Sequence, residues 1–152
     1  MKDYSELISR VEEAGNEIFW LGAASSDQIE ALEKNLGCVL PESFKDFLSI
    51  YGGGGVVDAE ISGIEDNDAS IDFGGTVYGD TLTAREEYDL PKGLVVIFFR
   101  DDETCWCIDS RDALNSKEFP VVSYNLFKKK VDKKISDDFS IFFEEYFTLR
   151  SR

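Results

Sequence analysis

Apolar residues recur at helical spacing over the first third of the chain, switch to a period of two in the middle, and return to helical spacing at the end. That order constrains the fold more than any other feature of the sequence. Tyr4, Leu7, Ile8 and Val11 make one helical stripe that ends at Gly15. A second helix is expected after Ser25, with Gln28 in capping-box position, Ile29, Leu32 and Leu36 on its buried face, and Gly37 as a left-handed stop. Leu40-Pro41 opens a third, because Pro suits the first helical position. Its face is Phe44, Phe47, Leu48 and Tyr51, and Gly52 closes it.

The middle of the chain is broken by Gly and Asp into short β-type runs: Val56-Val57, Glu60-Ile61, Ser70 to Phe73 and Thr76 to Tyr78. A short helix is expected to follow, capped by Thr83 with Glu86 at the box position. Leu94 to Arg100 is the strongest strand pattern. Asp101-Asp102-Glu103 forms a turn, and Thr104 to Asp109 returns as the second arm of a hairpin. Pro120 to Tyr124 is a further strand. A last helix after Ser136 carries Phe139, Phe142, Phe143, Tyr146 and Phe147 on one face. Helices first, a meander of strands and a closing helix predict an α+β fold with a mostly antiparallel central sheet. A parallel βαβ fold would need helices between the strands.

A length of 152 residues, with 43% hydrophobic residues and twelve Phe, suits one domain over 1–152 that builds its core without disulfide or metal. No apolar run approaches the roughly 20 residues that span a bilayer, and the first residues lack the apolar stretch of a secretory signal. The expected location is the cytoplasm. Cys38, Cys105 and Cys107 are an odd number of thiols, as in a reducing compartment. Alternation along a strand puts Cys105 and Cys107 on one face and Trp106 on the other. Two buried thiols are the simpler reading; a metal site would need two further ligands. There is no His. That excludes Ser-His-Asp and Cys-His hydrolases and removes the commonest metal ligand. Carboxylate or Lys chemistry stays formally open, but no catalytic residue, metal or cofactor is assigned.

Sixteen Lys and Arg against thirty-one Asp and Glu give a net charge of −15. The imbalance is also local: no Lys or Arg lies between Lys45 and Arg85, a stretch holding Asp46, Asp58, Glu60, Glu65, Asp66, Asp68, Asp72 and Asp80. A field of this sign repels nucleic acid and anionic membrane and accelerates encounter with basic proteins. Acidity that only maintains solubility is the plainer alternative. Lys128-Lys129-Lys130, with Lys133 and Lys134, reads as a solvated polar connector.

Gly52-Gly53-Gly54-Gly55 follows a helix and lacks the Lys and Ser/Thr of a phosphate loop, so a helix stop and tight turn is the favoured reading. Asp101, Asp102 and Glu103, with Asp109 nearby, suit a solvated hairpin tip better than a Mg²⁺ site, and are open to a partner. Trp106 is either an exposed interface anchor or is buried by a helix crossing that face.

Taken in order, several segments resemble the SUKH superfamily, the Smi/Knr-like domain. They are Ile29-Glu30-Ala31-Leu32-Glu33, then Leu40-Pro41-Glu42-Ser43-Phe44-Lys45-Asp46-Phe47-Leu48, then Tyr51-Gly52-Gly53-Gly54. Val95 to Phe99 with Trp106-Cys107-Ile108-Asp109 is similar to that family's central hairpin. Pro120-Val121-Val122 is similar to its next strand, and Ser136-Asp137-Asp138-Phe139-Ser140-Ile141-Phe142-Phe143 to its closing helix. Where the family often has a Gly-rich, Asp-containing hairpin turn, this chain has Asp101-Asp102-Glu103. The resemblance implies an α+β fold and, in bacteria, a cytoplasmic immunity protein that binds and neutralises a cognate polymorphic toxin, frequently a nuclease. Fungal relatives imply the alternative, a non-catalytic regulatory or scaffold protein with a non-toxin partner. For a toxin with a basic cleft, the expected contacts are Asp58, Glu60, Glu65, Asp66, Asp68 and Asp72, and the hairpin tip at Asp101, Asp102 and Glu103.

Overall fold

The computed structural model describes residues 3–111 and 117–152. The first helix, α1, is Ser5–Glu13. A three-residue strand, β1 (Ile18–Trp20), precedes α2 (Ser26–Leu36) and α3 (Glu42–Ile50). The short strand β2 (Gly54–Val56) pairs antiparallel with β1. A single 3-10 turn at Glu65–Asn67 and helix α4 (Val77–Tyr88) lead to the main sheet. That sheet comprises β3 (Leu94–Phe99), β4 (Thr104–Asp109), β5 (Val121–Asn125) and β6 (Lys130–Ser136), in that spatial order and antiparallel throughout. Helix α5 (Phe139–Arg150) closes the chain. The fold is α+β, with helices at both ends.

The local signals act much as their chemistry dictates. Ser25 Oγ caps α2 by accepting from Gln28 N, and Gly37 ends that helix at φ 71. The reciprocal half of the capping box is absent. Gln28 Oε1 instead accepts from Ala69 N, and Ser25 N donates to Asn67 Oδ1. Both bonds tie the 3-10 loop to the start of α2. Pro41 sits one position earlier than expected, as the N-cap residue of α3. Asp138 Oδ1 accepts from Ile141 N at 2.9 Å and starts α5.

Two expectations need correction. The fourth helix begins at Val77, well before Thr83, because the Thr76 hydroxyl accepts from Gly79 N at 3.0 Å and supplies the cap. The runs Ser70 to Phe73 and Thr76 to Tyr78 are therefore a turn and a helix start. The lysine cluster is only in part a connector: Lys128 and Lys129 lie in the turn after β5, but Lys130, Lys133 and Lys134 lie in β6, the outer strand of the sheet. Lysines on an unpaired edge discourage pairing with a second chain.

The sheet separates two apolar clusters. On one face lie Phe139, Phe142, Phe143, Tyr146 and Phe147 of α5 with Phe44, Phe47 and Leu48 of α3 and Val95, Ile97 and Ile108 of the sheet. Ring pairs such as Tyr4–Phe143 (5.1 Å), Phe47–Phe143 (5.2 Å) and Trp106–Phe142 (5.7 Å) knit this side together. Burying each such ring contributes about 1.5–3 kcal/mol. On the other face Ala84 and Leu90 pack against Leu94, Val96, Cys105, Cys107, Val122 and Tyr124. Cys105 and Cys107 thus share a buried face, their sulfurs 3.7 Å apart, and Trp106 points the opposite way.

Candidate partner-binding surface

The glycine run fixes how the small sheet meets the rest. Gly52 lies at φ +76, and a Cβ there would come within 1.7 Å of the Gly22 carbonyl oxygen. Gly63 faces it from across the chain: a Cβ would sit 1.9 Å from Gly52 O. Backbone packed against backbone leaves no phosphate-sized cradle at these two positions, so here glycine serves packing.

Between the second half of α5 and the outer ends of β3 and β4 lies a groove of about 500 Å³. Its walls are mainly aromatic, from Phe98, Phe99, Trp106, Phe142 and Tyr146, and Leu149 stands at its lip, 63% exposed. Trp106 combines the two alternatives considered for it. One side is covered by Phe98 (5.4 Å) and Phe142, while the half-buried ring still lines the groove. Asp58, Arg100, Glu145 and Arg150 supply the charge. Arg150 is engaged, its guanidinium 4.0 Å over the Tyr146 ring and donating to Tyr146 O at 2.9 Å. Asp58 and Glu145 have no ion-pair partner among the described residues.

The acidic residues singled out from sequence divide among several places. Asp58 lines the groove, as does Arg100, the residue just before the hairpin tip. None of the tip acids Asp101, Asp102 and Glu103 lines it. Glu60 and Glu65 instead flank a smaller recess of about 310 Å³ beside Phe19, which is 58% exposed. Asp66 and Asp68 belong to the loop fastened to α2, and Asp72 is exposed beyond it. Asp68 Oδ1 accepts from Ser70 Oγ at 2.6 Å and Ser70 N at 3.0 Å, which holds its carboxyl below the usual range. Asp101 Oδ1 likewise accepts from the N–H groups of Glu103 and Thr104, both at 2.8 Å, and its carboxyl is held low in the same way. Asp68 and Asp101 therefore shape their turns, whereas Asp102 and Glu103 are exposed at the tip.

One acid of the cation-free stretch is internal. Asp80 is buried in the first turn of α4, where it accepts from Ser62 Oγ at 2.6 Å and Gly75 N at 3.2 Å. Burial pushes its carboxyl above the ordinary value, and the two hydrogen bonds draw it part of the way back.

Sequence reasoning overlooked the exposed apolar residues Phe19, Phe73, Phe99 and Leu149. Leu149 left little trace, since it follows Phe142 by seven residues and Tyr146 by three and so reads as the edge of the buried stripe of α5. Phe99 left none: it ends an unbroken apolar run that reads as core throughout.

A family model described as SMI1-KNR4 cell-wall, of the SUKH group, matches residues 4–148. A crystal structure of a protein from Pseudomonas syringae pv. tomato superposes with a TM-score of 0.58 at 22% identity, covering 84% of this chain and 85% of that one. At that identity the likeness is one of fold alone. Among the described residues, no helix is long and apolar enough to cross a membrane.

Proposed function

Because this chain belongs to the SMI1-KNR4 family of SUKH domains, we propose that it is an immunity protein, a non-catalytic binder that neutralises a cognate polymorphic toxin of nuclease type in the bacterial cytoplasm. The family is generally non-catalytic, and membership is consistent with an immunity-protein-like role. The observation that carries the finer reading is unpaired acidic charge. Asp58, Glu60, Glu65, Asp66, Asp68 and Asp72 take part in no ion pair among the described residues. All but the partly buried Glu65 are exposed.

A nuclease presents a basic cleft to its substrate, and an antidote of opposite charge reaches that cleft quickly and occludes it. Asp58 in the groove wall, with Asp102 and Glu103 at the hairpin tip, forms one set of contacts, and Glu60 and Glu65 a second beside Phe19. Asp66, Asp68, Asp72 and Asp101 add to the field. Co-expression with nuclease toxin domains, beginning with any encoded beside the gene, tests the reading. Survival together with a complex that co-purifies supports it; cell death without binding removes that toxin as the partner.

A further inference from the structure

We propose that the groove between α5 and the β3–β4 hairpin is a docking site for a partner polypeptide segment carrying a large apolar side chain flanked by arginine or lysine. The inference rests on the immunity reading only for the identity of the partner; the chemistry of the segment follows from the groove itself.

The floor and walls are aromatic, and a Leu exposed to 63% stands at the lip. Such a surface gains most from an apolar anchor that excludes water. Tyr146 already accepts a guanidinium on its ring face, that of Arg150 at 4.0 Å. That face is taken, and the rings left for a partner's cation are the half-buried Trp106 and the exposed Phe99, which suit arginine.

Charge sets the sign of the flanks. The lining holds two acids, Asp58 and Glu145, and two bases, Arg100 and Arg150. In formal charge they balance; Arg150 is held over the Tyr146 ring and Arg100 acts on Asp101, while both carboxylates lack an ion-pair partner among the described residues. Beyond the lining the balance is acidic in sequence on both sides: Glu60 follows Asp58, and Asp101, Asp102 and Glu103 follow Arg100. A basic segment is attracted there and an acidic one is repelled.

The test uses a fluorescein-labelled synthetic peptide with a Phe-Leu pair between flanking arginines. Its anisotropy is titrated with the whole protein, and the quenching of Trp106 emission is followed in a Trp20→Phe background. Saturable binding to the wild type is expected. Leu149→Lys and Glu145→Lys should each weaken it at least about tenfold, and Phe99→Ser should do the same without adding charge. Phe127→Lys, which alters an exposed residue outside the groove, should leave it within about twofold. The proposal is overturned by an absence of saturable binding, or by equal binding of a peptide whose Phe-Leu pair is replaced by serines. Unchanged affinity in both Leu149→Lys and Phe99→Ser also overturns it. Running the same variants against a toxin domain from the co-expression test separates the two claims. A toxin held equally by wild type and Leu149→Lys keeps the immunity reading and removes the groove. Peptide binding without toxin binding does the reverse.

Discussion

The phenol of Tyr146 accepts a hydrogen bond from the backbone N–H of Val56 at 2.9 Å and donates one to the Ala59 carbonyl at 2.6 Å. One side chain of the last helix thus satisfies two backbone groups at the end of the small sheet. It also holds the Asp58 turn against the groove.

Tyr146→Phe keeps the ring and removes both bonds. A buried donor and acceptor left unpaired cost about 1–3 kcal/mol together with the lost bonds, so the urea midpoint should fall with little change in slope. Burial pushes the Tyr146 phenol up to about 12, so it keeps its proton as a donor at all physiological pH values. Spectrophotometric titration of the folded protein should find one tyrosine ionising near that value. An unchanged urea midpoint in the Phe variant would contradict this role.

Gly63 and Gly74 form a matched pair of tests. A methyl at Gly63 meets Gly52 O at 1.9 Å and Gly53 Cα at 2.4 Å, both backbone atoms that cannot rotate away. Gly63→Ala should destabilise by about 3 kcal/mol or more, or prevent folding. Nothing lies within 4 Å of the corresponding point at Gly74, so Gly74→Ala should stay within about 0.5 kcal/mol of wild type. Thermal melts of the two variants check the contrast.

Asp80 gives stability an inverted pH dependence. Its folded-state pKa lies above the unfolded value of 3.8, so the folded chain holds the proton more tightly. The cost of the buried charge is fully present above the folded-state pKa. It shrinks as pH falls through that value and is gone below 3.8. Stability relative to Asp80→Asn should therefore rise on going from pH 7 towards 4. Asp68 and Asp101, whose carboxyls are held low, act in the opposite sense, with their loss concentrated around and below 3.8. Paired denaturant curves for wild type and Asp80→Asn read the difference, and a falling difference would contradict the assignment.

Charge reversal should separate contact from turn formation. Asp58→Lys with Asp102→Lys and Glu103→Lys should slow association with a basic toxin domain by about tenfold or more at low salt. The effect should shrink towards 150 mM salt. Asp101→Lys should alter the hairpin tip itself, because its carboxylate accepts three hydrogen bonds from the turn. Stopped-flow association rates with circular dichroism of each variant distinguish the two effects.

The helices and the central hairpin were legible because their faces and caps are written locally: Ser25, Gly37 and the aromatic stripe of α5 each sit where the structure uses them. Helix α4 was obscured because its buried positions include Gly79, Asp80 and Thr81, which leave no apolar stripe to detect. Strand β6 was hidden by the lysines of an outer strand, where Val131 and Ile135 alone are apolar and pack against different clusters, so no alternation shows. Acidity was plain in the chain, but its division was not. Only tertiary structure puts Asp80 inside, makes Asp68 and Asp101 turn residues, and carries Asp58 to the groove beneath Tyr146. The groove itself joins residues from positions 58 to 150, a separation no local pattern spans.

The most direct test is the dissociation constant of this protein with a nuclease toxin domain that it protects cells against in co-expression, measured by calorimetry while nuclease activity is followed in the same mixture. A one-to-one complex that abolishes activity is expected, with a marked loss of both in Asp58→Lys/Asp102→Lys/Glu103→Lys. Binding and inhibition left intact by that triple reversal would contradict the assigned surface, and no binding by the wild type would contradict the antidote role for that toxin.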